Sequence, residues 1–313
     1  MDYSDGYLRS VLPPEDPPRQ FVPPAVEAEI ASWIEGRSYE DAALVARSTR
    51  WTYALFQELQ LGQAVTDGPF RFGSHHWAEL TIGLYDRQTE KEGFGLALPV
   101  TPSARPAFEP VGEVAFPRLG RSFPLAFRQA RIDEHAPPHP VGATAASWAQ
   151  CNQTAAWGLL TAGHAVATAQ PGQGVPLASR HAGTLGRSAY PIVDAAFVTV
   201  TPGPAAPAAM NVLRFPAAGQ HAVVERQAGP AQRTVVSAMN TLGNANTRAF
   251  RILFLTDTPC APGDSGALVR TPQGAAMGIY TGSFANPTSP GGLAGLNQNF
   301  EQAVLALDVT AYG

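Results

Sequence analysis

The sequence predicts a mainly β fold: two small antiparallel barrels, preceded by a small α+β N-terminal module and followed by a C-terminal helix. Three observations carry this expectation. The 313 residues include Gly 30 and Pro 29, which suits a turn-rich β protein better than a helical bundle. From Val141 onward, short apolar stretches alternate with turn residues at 143–150, 155–161, 174–179, 182–188, 192–200, 220–227, 233–240 and 250–256, a density that fits two barrels. The third observation is the stretch from Thr258 to Val269, where Gly263 and Gly266 flank Ser265 and let the backbone turn sharply around an uncovered hydroxyl. After it, Thr271-Pro272-Gln273-Gly274 has Pro at the second turn position and Gly at the fourth, so strands 266–270 and 275–281 form a hairpin.

Taken in order, residues 1–26 are a lead-in whose prolines 13, 14, 17, 18, 23 and 24 forbid regular helix or sheet. Glu27–Ile34 reads as a short helix. Ser38 with Asp41 resembles a capping box for a longer helix through Gln60, with Leu44, Trp51, Leu55 and Leu59 on its apolar face. Trp77–Tyr85 and Phe94–Val100 read as paired strands, so 1–110 forms an α+β module. Residues 111–140 are expected as a proline-rich connection, with a strand inside Ser122–Ile132, and 141–313 as the barrel domain. The first barrel strand starts near either Glu113 or Val141. Asn299–Leu307 has a helical pattern, and Pro290–Gly295 reads as a loop that lacks the Lys-Ser/Thr of a phosphate-binding turn.

Composition narrows the function classes. Lys plus Arg 21 against Asp plus Glu 25 gives a net charge of −4, with no electrostatic footprint for nucleic acid or an anionic membrane. The start, Met1-Asp2-Tyr3-Ser4-Asp5-Gly6, is acidic and polar and no apolar run of signal-peptide length follows, so a cytoplasmic location is expected. Cys151 and Cys260 are the two cysteines, too few for a disulfide framework, and two part-buried thiols are expected. No cofactor is implied. His75-His76 and His135 with His139 suggest no metal, because prolines 137 and 138 prevent a helical pair and no matching Cys or carboxylate cluster appears.

If Ser265 is reactive, it needs a base and a group to orient that base, since a hydroxyl is a weak nucleophile at neutral pH. His164 ends the apolar run Ala155–Thr161 behind the small pair Ala162-Gly163, which presents a ring at a strand end. Asp194 lies inside the nearly continuous apolar stretch Pro191–Val198, where a carboxylate must find a partner. The order His164, Asp194, Ser265 differs from those of α/β-hydrolases and subtilisins, and Ala267 stands where a G-x-S-x-G elbow needs glycine.

Leu160-Thr161-Ala162-Gly163-His164, Val193-Asp194-Ala195-Ala196-Phe197-Val198 and Pro262-Gly263-Asp264-Ser265-Gly266-Ala267-Leu268-Val269 resemble the three signatures of trypsin/chymotrypsin-like serine peptidases. The bacterial, short-looped branch is the closer likeness. That resemblance implies a serine endopeptidase in which His164 is the base, Asp194 fixes its tautomer, Ser265 is the nucleophile, and the N–H groups of Gly263 and Ser265 form the oxyanion hole. It also implies a pocket wall from Thr258, Pro259 and Cys260 and a substrate-pairing strand end at Tyr280, Thr281 and Gly282. These positions are neutral, which favours a small or medium apolar residue before the scissile bond; Asp257, one residue further back, is the basic-specific rival. No Ile/Val-Val-Gly-Gly start is present whose freed amine would pair with Asp264, so activation by simple propeptide removal is not expected. Partners are then a protein or peptide substrate and a regulatory protein docking on residues 1–110. The alternative is a catalytically silent trypsin-fold binding or scaffold protein.

Overall fold

The computed structural model describes residues 12–34, 39–61, 65–66, 80–86, 92–100, 112–129, 132–134, 144–177, 182–227, 229–244, 249–285 and 290–313. His75, His76, His135, His139 and the cap residue Ser38 lie outside them. Helix α1 (Pro24–Ile34) starts on a proline, whose fixed φ and missing N–H suit a first turn. Helix α2 (Tyr39–Gln60) buries Trp51, Leu55 and Leu59, three of the four residues expected on its apolar face. The side chain of Leu44, the fourth, is outside the description.

Six strands follow in the N-terminal part: β1 (Val65–Thr66), β2 (Leu80–Asp86), β3 (Glu92–Val100), β4 (Gly112–Phe116), β5 (Arg121–Gln129) and β6 (Ile132–Glu134). The last three occupy the stretch expected as a connection. Its prolines are accommodated locally: Pro117 opens a single helical turn between β4 and β5, where its lost N–H costs nothing. Pro124 is paired only on the β4 side, opposite Glu113, because the parallel β3 pairing begins one residue later at Leu125. β5 matches the strand expected inside Ser122–Ile132, and β4 starts near Glu113, one of the two starts the sequence offered.

The remaining chain forms β7 (Ser147–Cys151), β8 (Trp157–Thr161), β9 (Gly174–Pro176), β10 (Ala182–Ser188), β11 (Ala196–Thr199), β12 (His221–Val224), β13 (Gln232–Asn244), β14 (Ala249–Thr256), β15 (Leu268–Arg270), β16 (Ala276–Ala285), β17 (Leu293–Asn299), helix α3 (Phe300–Leu307) and β18 (Val309–Tyr312). The first barrel is the antiparallel sheet β18-β7-β8-β11-β10-β9. In the second, β13-β12-β15-β16-β17-β14 returns on itself because β13 also pairs with β14, from Val236 opposite Thr256 to Asn244 opposite Ala249. Ring closure removes both sheet edges. The hairpin after Ser265 is present, with Leu268 opposite Ile279.

Residues 293–295, expected in a loop, open β17 instead. Gly295 pairs with Ser283 there, and a Cβ at that position would come within 2.4 Å of the Thr256 hydroxyl, so a glycine that looked like a loop marker is a close-packing residue. Helix α3 is capped by Asn299, whose side chain accepts from the Gln302 N–H. It buries Phe300, Ala303 and Leu307 in a cluster with Leu160 and Phe197 of the first barrel and Ala276 and Ile279 of the second. It packs at the junction of the barrels.

The N-terminal strands are continuous with the second barrel. β2 pairs with β13 from Leu80 opposite Thr241 to Gly83 opposite Ala238. One core runs through both parts: Trp51, Leu55, Leu96 and Phe123 share a cluster with Val224, Phe254, Met277 and Tyr280. No helix among the described residues is long and apolar enough to cross a membrane.

Candidate active site

His164 begins a single helical turn, His164–Val166, three residues after β8 ends. Asp194 lies just before β11, not within it. The stretch Pro191–Ala195 turns back on itself through the bond from the Ala195 N–H to the Val193 carbonyl, 2.8 Å, and the Asp194 N–H is taken by the Gln298 side-chain oxygen at 3.0 Å. Hydrophobicity alone made this turn look like strand. The loops that carry His164 and Asp194 touch at Gly163, where a Cβ would meet the Cβ of Tyr190 at 2.6 Å and the Ala195 N at 3.0 Å. The small pair before His164 is thus what lets the two loops meet.

They meet in two hydrogen bonds. The His164 backbone N–H donates to Asp194 Oδ1 at 2.9 Å, and His164 Nδ1 lies 2.8 Å from Asp194 Oδ2. Asp194 is fully buried, so its ionised carboxylate is acceptor-only and needs these donors. Nδ1 then carries the proton and Nε2 is left as an acceptor. That Nε2 lies 3.1 Å from Ser265 Oγ. The single hydroxyl proton of Ser265 has a second acceptor, the Thr281 carbonyl, also at 3.1 Å. Thr281 falls at a bulge between Tyr280 and Gly282 in the β16–β17 pairing, a device that re-aims backbone groups beside a site.

The loop around Ser265 is held from three directions, two of them by Arg226 and Thr144, which sequence reasoning did not single out. Arg226 Nε donates to Asp264 Oδ2 at 2.9 Å, and the Asp264 carboxylate, almost wholly buried, also accepts from the Ala261 N–H at 3.1 Å. Asp264 in turn holds the Arg226 guanidinium above its usual range. Thr144 provides the second hold: its N–H donates to the Ser265 carbonyl at 3.2 Å and its hydroxyl lies 2.8 Å from the Gly263 carbonyl. The third is contact at Gly266, which has φ of 98° and leaves no room for a side chain, since a Cβ would stand 1.9 Å from the Thr144 carbonyl oxygen. Gly263 has the same φ of 98°. A lone Arg or Thr 39 or more residues from Ser265 carries no sequence signal, because pairing with a loop is a tertiary fact.

Two barrels of antiparallel strands, with His and Asp on loops of the first and Ser on a loop of the second, make the architecture plain. The fold is a chymotrypsin-like double barrel. Solved structures similar to the chain include a Nocardiopsis protease (NAPase), with 20% identity and a TM-score of 0.41 over 55% of this chain and 94% of that one. Thermobifida fusca Protease A has 18% identity and a TM-score of 0.42 over 54% and 91%. A glutamic acid specific serine protease, described as using a histidine triad in substrate binding, has 23% identity and a TM-score of 0.40 over 54% and 92%. No family model and no curated protein sequence matches the chain.

Around the expected pocket, Tyr280 is fully buried and bridges to Cys260: its hydroxyl accepts from the Cys260 N–H at 2.9 Å and donates to the Cys260 carbonyl at 3.2 Å. A ring atom of Tyr280 would lie 3.3 Å from a Cβ on Gly295, so the ring spans between these two segments. Burial pushes the Cys260 thiol up to about 12 and the Tyr280 hydroxyl above its ordinary value, so both stay neutral. The Thr258 and Pro259 carbonyls face Gln232 Nε2 at 3.4 and 3.2 Å. Thr281 is buried with its hydroxyl donating to the Leu296 carbonyl, 3.1 Å away. Asp257 is turned toward β13: its Oδ1 accepts from the Thr234 hydroxyl, the Val235 N–H at 3.1 Å and the Thr258 hydroxyl at 3.1 Å. Both cysteines are free and buried. Among the described residues no group of three His, Cys, Asp or Glu side chains is placed to hold a metal ion.

Proposed function

We propose that this chain is a serine endopeptidase that hydrolyses peptide bonds through an acyl-enzyme. The observation that carries the reading is the unbroken line from Asp194 Oδ2 through the His164 ring to Ser265 Oγ, at 2.8 and 3.1 Å. Ser265 Oγ attacks the peptide carbonyl while His164 Nε2 takes its proton, and Asp194 stabilises the imidazolium that forms. His164 then gives that proton to the leaving amine, and a water molecule repeats the sequence to release the acid. The developing oxyanion is met by the N–H groups of Gly263 and Ser265, on a loop that the Arg226–Asp264 pair and Thr144 keep in shape. Residues 1–110 act as a regulatory or targeting module.

The specificity reading follows from the Tyr280 ring. A buried ring whose hydroxyl is tied to both the N–H and the carbonyl of Cys260 shortens the slot, so a small or medium apolar residue precedes the scissile bond. Asp257, with three protein donors on one oxygen, is occupied away from the slot, which argues against preference for Arg or Lys.

The test is covalent labelling with a fluorophosphonate, read by peptide mapping. Stoichiometric modification at Ser265 and its loss in His164→Ala are expected. A protein that never reacts is the silent trypsin-fold alternative. On a peptide library, cleavage confined to Arg or Lys and abolished by Asp257→Ala would overturn the neutral pocket.

A further inference from the structure

A site that cuts peptides must admit one, and here it is already covered. Ser265 is 0% exposed and the His164 side chain 4%. The backbone shows what stands beside it. One edge of β16 is paired along its length with β17. The other edge is paired with β15 only as far as Ile279, after which the Tyr280 carbonyl and N–H are held by Gly266 and Ala267. Beyond Thr281, this same edge leaves the serine loop and would be open to an incoming strand. It is taken by the chain itself: β6 pairs antiparallel with it, Glu134 opposite Gly282, Asp133 opposite Ser283 and Ile132 opposite Phe284.

The polarity of this strand carries the argument further. Gly282 follows directly on Thr281, whose carbonyl accepts from Ser265 Oγ, so the C-terminal end of β6 is the end nearest the nucleophile. A peptide presenting the acyl half of its scissile bond to Ser265 must arrive with the same direction, its N-terminal side running along β16 toward the serine. Added-strand recognition takes its affinity from main-chain hydrogen bonds, so any segment of suitable length competes for that edge whatever its side chains. β5 ends at Gln129, only a few residues before β6, which ties the occupant to the N-terminal sheet.

We infer that Ile132–Glu134 occupies the acyl-side substrate edge of this protein as an internal, substrate-directed strand, so that peptide substrates bind only when β6 leaves. This rests on the reading of Ser265 as a nucleophile toward peptides. It gives the N-terminal part a physical means of control: whatever pulls on its sheet also opens or closes the cleft. The tether keeps β6 at an effective concentration of order mM, well able to hold off a free peptide of ordinary affinity.

The test compares the full-length chain with its Asp133→Pro variant, which cannot keep a regular strand at that position. Three readouts are used: fluorophosphonate labelling of Ser265, hydrolysis of a blocked tetra-alanine anilide, and binding of a fluorescent peptide of residues 127–134. The variant should hydrolyse the anilide about tenfold faster or more, and bind the peptide where the parent does not. Replacing Ile132, Asp133 and Glu134 together by glycine should move both readouts in the same direction, which covers misfolding of the proline variant. If both proteins label at Ser265 yet hydrolyse the anilide equally, β6 does not guard the edge and the inference falls while the catalytic reading stands. If neither labels, the catalytic reading falls and the peptide decides: binding to the variants alone supports the internal strand, and equal or absent binding overturns it.

Discussion

The two barrels carry the site unequally. The first holds His164 and Asp194 and is completed by β18 from the far end of the chain, with its own core of Leu159, Val175, Leu185 and Val198. The second holds Ser265 and, among the described residues, is the one extended by the N-terminal sheet through β2 and paired with β6. The half with Ser265 shares core and hydrogen bonds with residues before 135, whereas the half with His164 and Asp194 shares a core cluster with the second barrel and α3. The N-terminal part is therefore joined to the serine half through β2, β6 and a shared core.

The largest effect that sharpens this contrast should come from removing one residue on each side. His164→Ala and Ser265→Ala should each lower kcat/KM on a cleaved peptide by about 10⁶, and the double variant should fall little further, because residues acting as a unit are strongly non-additive. Additive losses would mean that the halves do not cooperate as assigned. Steady-state kinetics on the three variants, with ~10³–10⁴ over water left from binding and the oxyanion site, checks this.

Next in size is Arg226→Ala, which strips a buried carboxylate of its cation on the serine side only. We expect a loss of about 10²–10³ in kcat, comparable to removing an oxyanion donor, with the fluorophosphonate rate falling in step. A variant with unchanged kcat would show that the loop before Ser265 keeps its shape unaided. The first barrel should be untouched, as judged by hydrogen exchange in Leu159 and Val198.

The shared core makes a third prediction. Trp51→Ala should cost about 3–5 kcal/mol, and in denaturant the loss should appear in probes of the second barrel as well as of α2, since Trp51 packs in the cluster that includes Phe254 and Met277. Separate transitions for the N-terminal part and the second barrel would break the comparison.

The smallest effect is chemical. Cys151 on β7 and Cys260 beside the serine loop are covered alike, 6% and 7% exposed. Their thiols differ in the opposite sense: hydrogen bonds from Thr154 hold Cys151 below the usual thiol value, whereas burial raises Cys260 to about 12. Thiolate is the reacting form, so at pH 8 a maleimide should modify Cys151 first, and Cys260 only as the second barrel opens. Mass-mapped labelling in which Cys260 reacts first would reverse that order.

Much of this was legible in the residues. The glycines around Ser265, the small pair before His164, the turn Thr271–Gly274 and the apolar face of α2 each act over a few positions, where local sterics and periodicity decide the outcome. His164, Asp194 and Ser265 could be singled out because their types and order are distinctive, and the structure brings the three side chains together. What the residues alone did not determine is everything that depends on distant partners. Pro117 looked like part of a connection until the turn between β4 and β5 showed where a missing N–H is harmless. Gly295 looked like loop until Thr256 and Tyr280 were found against it. Arg226 and Thr144 acquired a role only from the loop that folds onto them. The strand Ile132–Glu134 is too short to declare itself by alternation, and only the open edge of β16 decides where it lies, because strand pairing satisfies backbone groups that any sequence possesses.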